Sequence, residues 1–276
     1  MGVIRRLLAA RGTWLLLGLL LLASLSRLAV RGLARDPRFD AVPGIAGVRG
    51  PAWGGDALVE PVIARLRALG PVNLFDARFE ERICGALREV PCIASVDRLR
   101  RHWPRRYSVE FTFHRPFAVV EQGEHLSPVT AEGIVLPLAP YEQACGGLLR
   151  IVGVSERAPP PGSRWTCGPL QEGLATALQL AAHPAALEPL GIDRIDVARS
   201  ADPRQGVTLQ GRDGTTVRWG RPRATVAENP VERKIRYLGI ASRNLAQVRG
   251  LEIDVRYGDL YLRESGGDAG TVRSAP

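Results

Sequence analysis

Groups able to do chemistry are few in this chain and widely scattered. His102, His114, His125 and His183 are the candidate bases or ligands, but no H-E-x-x-H, G-x-S-x-G, Walker or dinucleotide-glycine pattern surrounds any of them. His102 and His114 bracket one predicted hairpin and, with Cys92, would be the nearest approach to a metal site; solvated strand positions explain them more simply. Asp193, Asp196 and Asp202 are spread over a predicted strand and loop, which suits surface charges better than an acid–base pair. The cysteines Cys84, Cys92, Cys145 and Cys167 show no C-x-x-C spacing, so neither a zinc ribbon nor a dithiol redox motif is signalled. Local disulfides Cys84–Cys92 and Cys145–Cys167 and buried unpaired thiols both remain open. No catalytic residue, cofactor or metal is expected, and the residues favour a binding role over catalysis.

Two surfaces are candidates for that binding. The first is a basic run, Arg98, Arg100, Arg101, Arg105 and Arg106, around Trp103. It suits anionic lipid headgroups or an acidic partner, and equally a solvated hairpin tip that guards an edge. The second is the C-terminal alternation Leu251, Ile253, Val255 and Tyr257, after which the apolar parity shifts to Leu260 and Leu262, as a turn or bulge at Gly258-Asp259 would produce. An uncovered edge there would accept an added strand, with backbone hydrogen bonds supplying affinity and side chains supplying register.

The elements that must carry these surfaces can be read in order. Gly12 to Ser26 is free of charge, but at 1.5 Å per residue it covers only about 22 Å of a bilayer core near 30 Å. Leu7 to Ala10 and Leu28 to Val30 extend the run if Arg11 and Arg27 snorkel, and Trp14 suits the interface. A transmembrane helix over 7–30 is expected, with residues 1–6 cytoplasmic and the body outside the cytoplasm; a cleaved signal peptide is the rival. After a linker at 31–41, Ala46 to Arg49 is a short strand. Asp56 caps a helix carrying Leu58, Val62, Leu66 and Leu69, which Gly70-Pro71 stops. Asp76 caps a second helix with Phe79, Ile83, Leu87 and Val90 in one stripe, and Pro91 ends it.

Two strands follow, the second with Tyr107, Val109, Phe111 and Phe113 on one face and Ser108, Glu110, Thr112 and His114 on the other. Beyond Pro116 the pattern is of short strands, at Phe117 to Glu121, Ile134 to Leu136, Leu148 to Val154 and Ile192 to Ala198. A helix over Leu170 to Ala182 uses Leu174, Leu178 and Ala181. Val207, Leu209, Val217 and Trp219 flank Asp213-Gly214, a strong hairpin signal. Asn229-Pro230 opens a helix with Val231, Ile235, Leu238 and Leu245.

Composition excludes other classes. With 45% hydrophobic and 24% charged residues the chain is a folded protein long enough for two modest domains. The net charge of +9 includes six arginines that precede the first acidic residue, Asp36; without them it is +3, with Lys234 the only lysine. That is no footprint for nucleic acid.

Seven short motifs stand in order along the chain: Asn73-Leu74-Phe75-Asp76, Val90-Pro91-Cys92-Ile93, Arg101-His102-Trp103-Pro104 and His114-Arg115-Pro116-Phe117-Ala118, then Asp213-Gly214 to Trp219-Gly220, Lys234-Ile235 to Leu238, and Ile253-Asp254-Val255-Arg256-Tyr257. In wording and order they resemble the FtsQ/DivIB family of bacterial cell-division proteins. Cys92 stands where the family usually has Trp, and His114 where it usually has Glu. The resemblance implies an α+β fold, with a POTRA domain (strand, helix, helix, strand, strand) at 42–116 and a mainly β domain with helices at 117–263; the Gly- and Asp-rich composition of 264–276 suits a disordered tail. It implies a bitopic inner-membrane scaffold at the division septum, which docks FtsB- and FtsL-like proteins by strand addition at the C-terminal β-domain. Other divisome membrane proteins would meet the anchor and the POTRA domain. Arg256 and Tyr257 are the partner-binding positions carried over, with Arg249 and Arg199 as nearby cations for an acidic segment. An outer-membrane assembly or secretion component and a membrane-anchored hydrolase are the alternatives.

Overall fold

The computed structural model describes residues 2–43, 50–202, 204–222, 227–245 and 250–264. Two units divide the chain, Met1–Gly50 with Val59–Phe113, and Pro51–Leu58 with His114–Pro276.

The first unit opens with one long helix, α1 (Gly2–Leu33), beyond both ends of the expected span, because nothing breaks the helical pattern before Asp36-Pro37. Among the described residues no helix is long and apolar enough to cross a membrane. The first strand is β1 (Asp40–Pro43), and the expected strand at Ala46 to Arg49 lies outside the described residues. Four residues ending in Pro43 carry no alternation, so nothing in the sequence announces β1. Helix α2 (Val59–Leu69) is preceded by a 3-10 turn at Asp56–Leu58, so Asp56 opens that turn rather than capping the helix. After β2 (Val72–Asn73) comes α3 (Phe79–Arg88). Asp76 does not cap α3: its carboxylate accepts from the Arg78 amide at 2.9 Å in an Asx turn one step earlier. The stripe is as expected, with Phe79, Ile83 and Leu87 fully buried.

The long hairpin β3 (Ile93–His102) and β4 (Arg106–Phe113) completes a sheet in the order β2-β1-β4-β3, with β1 parallel to β4. On β4, Tyr107 is fully buried, edge-on to Phe79 at 5.5 Å; Val109, Phe111 and Phe113 are half-buried.

The second unit is built on a mixed eight-stranded sheet, ordered β12-β11-β10-β9-β8-β7-β5-β6. Its strands are β5 (Ala118–Gln122), β6 (His125–Val129), β7 (Arg150–Val152), β8 (Ile192–Asp196), β9 (Val207–Gly211), β10 (Thr216–Gly220), β11 (Leu251–Asp254) and β12 (Tyr261–Glu264). The register aligns Val120, Ile151, Ile195, Leu209, Val217 and Ile253 in one row across six strands, and all six are fully buried. Burying each is worth about 1.5–3 kcal/mol, so this row is the backbone of the core. One residue along, Glu121, Val152, Asp196, Thr208, Arg218, Asp254 and Tyr261 form a mostly polar row, on the opposite face by the two-residue period of a strand.

The helices are α4 (Leu138–Cys145), α5 (Gly168–Ala181), the one-turn α6 (Pro184–Leu187) and α7 (Val231–Leu245). In α5, Leu170, Leu174, Ala177 and Leu180 face the core, whereas Leu178, expected on that stripe, is 51% exposed. The apolar positions follow i, i+4, i+7, i+10, a stripe that leaves Leu178 on the other side. Gly173 lets α5 lie close to the sheet, since a Cβ there would stand 2.9 Å from Ile151 Cγ2. Ile134 to Leu136 makes only isolated bridges, Val129 to Val135 and Ile134 to Arg164; the strand in this region is β6, whose Pro128 disguises it.

Candidate partner-docking edge

Leu251 to Tyr257 is not one strand. After Asp254 the chain turns and returns as β12, which pairs antiparallel with β11 through Ile253–Leu262 and Asp254–Tyr261. The expected edge is therefore covered from within the chain, and the outer strand is β12. The parity shift at Gly258-Asp259 was the signal of this turn; a further strand of only four residues was missed.

The turn is held from α7. The Asn229 side-chain amide donates to the carbonyls of Val255 (3.0 Å) and Gly258 (3.2 Å), and the Asn229 backbone N–H donates to Arg256 O at 2.6 Å. The Tyr237 hydroxyl donates to Gly258 O at 2.9 Å. Gly258 has φ +52°, a left-handed conformation that suits glycine.

Below the turn lie two ion pairs. Arg256 is only 8% exposed: Nη2 donates to Asp254 Oδ2 at 2.6 Å, Nε to Oδ1 at 3.0 Å, and Nη1 to the backbone carbonyl of Arg204. The hydrogen bonds to Asp254 raise the pKa of the guanidinium above its ordinary value, against the effect of burial. Lys234 and Glu228 form the second pair at 3.1 Å, with side-chain exposures of 0% and 3%. Burial pulls the Lys234 pKa down and the Glu228 carboxylate opposes it. The Lys234 ammonium also lies 5.4 Å from the Trp219 ring centre. Gly220, at φ +83°, is required here, because a Cβ would come within 2.9 Å of Glu228 Oε2 and 3.1 Å of Arg256 Cγ.

The four sequence candidates fare differently. Arg256 and Tyr257 are adjacent but opposite in role: Arg256 is spent on internal partners, while Tyr257 is 39% exposed with its ring 5.3 Å from the Arg256 guanidinium carbon. Arg199 is exposed and donates to Gln205 Oε1 at 3.2 Å; its loop reaches Arg256 through the Arg204 carbonyl. Arg249 lies outside the described residues. Sequence reasoning missed Tyr261, 48% exposed on β12, and the clamp residues Asn229 and Tyr237.

Among the described residues, reactive groups do not converge, and no three His, Cys, Asp or Glu side chains are placed to hold a metal. Asp193 pairs with Arg212, Asp196 accepts from Ala198 N and Gln210, and Asp202 accepts from Arg204 N, so each serves local structure. His102 shares a 2.8 Å hydrogen bond with Ser108. Cys84, Cys145 and Cys167 are free thiols, so neither local disulfide is formed; burial raises the Cys145 and Cys167 pKa values. What the arrangement offers is a clamped backbone edge flanked by two exposed tyrosines.

The family model for the C-terminal domain of cell division proteins FtsQ/DivIB matches residues 118–260, more than half of the chain. The chain belongs to the FtsQ/DivIB family. The match runs from the first residue of β5 to the residue before β12, taking in the buried row, both ion pairs and the clamped turn. Membership gives the chain a role in cell division. No curated protein matches it.

Proposed function

We propose that this FtsQ/DivIB protein is a membrane-anchored division scaffold whose β12 takes an extended segment of an FtsB- or FtsL-like partner as an additional strand. One observation carries the reading: β12 ends the eight-stranded sheet, and among the described residues no strand pairs with its far side. Its polar row ends in Tyr261, and the turn before it presents Tyr257, so a docked strand would meet two exposed aromatic rings. Arg256 supports this edge from beneath. Arg199 and Arg249 are the cations offered to an acidic partner segment.

The anchor in this reading is α1, whose apolar run would span the bilayer only with Arg27 snorkelling to the interface, and in which Leu17, Leu19, Leu20, Leu21, Leu22, Leu25 and Leu28 are all exposed. Four consecutive leucines face every side of a helix, a surface suited to lipid rather than water. The first unit, in which β1, α2, β2 and α3 precede the strand pair β3–β4 of a mixed sheet, is read as the POTRA domain. The protein would sit in the inner membrane at the septum with its N-terminus cytoplasmic, and hold regulators of septal peptidoglycan synthesis without turning over a substrate.

Recovery of the partner by the full chain tests the docking site. Tyr257→Lys and Tyr261→Ala should each lower it, by about 2 kcal/mol of binding for a central tyrosine. Unchanged recovery with both variants would remove β12 as the docking edge.

A further inference from the structure

The hairpin tip between β3 and β4 is left without a role by the docking edge. Trp103 at that tip is 71% exposed, and Arg100, Arg105 and Arg106 beside it are exposed as well. A tip that only needs solvation does not need an indole.

Its position supplies the explanation. Trp103 packs on Phe39 with ring centres 5.5 Å apart, and Phe39 in turn packs edge-on to Phe75 at 5.1 Å. Phe39 ends the 3-10 turn Pro37–Phe39, six residues after the last residue of α1. The Asn73 side chain donates to Leu33 O (3.2 Å) and Asp36 O (2.9 Å), tying the last turn of α1 to the sheet. Arg105 Nε donates to Asp40 O at 3.2 Å, fixing the tip to the same segment. The exposed indole is thus held where α1 ends, in company with the exposed arginines Arg31, Arg35 and Arg38.

We propose that this tip is a membrane-surface docking element, in which Trp103 enters the headgroup layer beside the anchor and Arg100, Arg105, Arg106, Arg35 and Arg38 engage anionic lipid phosphates. The proposal rests on α1 being the anchor. An indole at headgroup depth keeps its ring in the apolar boundary and its N–H wet, and arginines at the same level gain from the negative surface potential of anionic lipids. The tip would then fix how the first unit stands on the bilayer. An acidic protein segment offers the charge, but it gives no reason for the indole to be held at the foot of α1.

The test uses the full chain in lipid nanodiscs made of phosphatidylcholine, alone or mixed with phosphatidylglycerol, with acyl chains brominated near the headgroup to quench nearby tryptophan. In discs containing phosphatidylglycerol, the wild type should lose a larger share of its fluorescence than Trp103→Phe, which keeps a ring against Phe39. Arg100→Glu combined with Arg106→Glu should erase that difference, as should discs of phosphatidylcholine alone. Equal quenching of wild type and Trp103→Phe in anionic discs would overturn the proposal and leave the patch to an acidic protein segment. Quenching of Trp103 that ignores the charge reversals or the lipid charge would overturn it too. A chain that fails to co-elute with the discs would defeat the anchor, and this proposal with it.

Discussion

Arg256 and Asp254, two residues apart at the end of β11, close on each other through the full guanidinium fork, with Nη2 at 2.6 Å from Oδ2 and Nε at 3.0 Å from Oδ1. The pair sits below the turn that leads into β12, and the remaining Nη1 reaches across to the Arg204 carbonyl. Arg256→Ala should cost about 2 kcal/mol of stability, less than a fully buried pair because the Asp254 side chain keeps 23% of its exposure. Arg256→Lys should recover only part of this, because a single ammonium cannot reproduce the planar fork. Denaturant unfolding of the three proteins measures both effects, and a loss in Arg256→Ala no larger than that of an exposed arginine would contradict the assignment.

Lys234 and Glu228 test the second pair. Lys234→Met alone should cost about 3–5 kcal/mol because it leaves the Glu228 carboxylate buried without its cation. Adding Glu228→Gln should restore most of the loss, since a neutral amide oxygen can still accept from the Arg221 N–H that now donates to Glu228 at 3.1 Å. A double-mutant cycle on unfolding free energy reads the coupling directly; additive losses would show that the pair is not coupled.

His114 gives the second unit a pH dependence of known sign. Burial lowers its pKa from the ordinary 6.5, with the Glu132 charge opposing. The unfolded chain therefore takes up the proton first as pH falls. This contribution to stability is whole above pH 6.5 and is lost as the pH drops from there through the folded-state value. His114→Gln should flatten that part of the stability profile, as measured by melts between neutral and mildly acidic pH; a parallel profile in the variant would refute the assignment.

How far the sequence could be read depended on where each element's partners lie. The β4 alternation, the α3 stripe and the hairpin at Asp213-Gly214 were all legible, because their periods and turn residues are local. The six-residue core row was visible only in pieces, as Ile195, Leu209, Val217 and Ile253 on separate strands, since register across a mixed sheet is set by packing. β6 and α4 escaped because Pro128 and Pro140 interrupt any period. Arg256 and Lys234 were read as surface or motif residues. Their burial is made tolerable by Asp254 and Glu228, and sequence spacing alone does not show that a charge is desolvated. The terminal edge was placed one strand too early for a similar reason: four residues of β12 carry too little pattern to stand out from a tail.

Amide hydrogen exchange across Tyr261–Glu264, in the full chain with and without its division partner, tests the docking edge most directly. Strand addition predicts that amides of β12 exposed on the outer side of the sheet become protected in the complex, and that Tyr257→Lys reduces this protection. Exchange in β12 that is identical in the free and bound protein, with protection appearing elsewhere, would contradict the account.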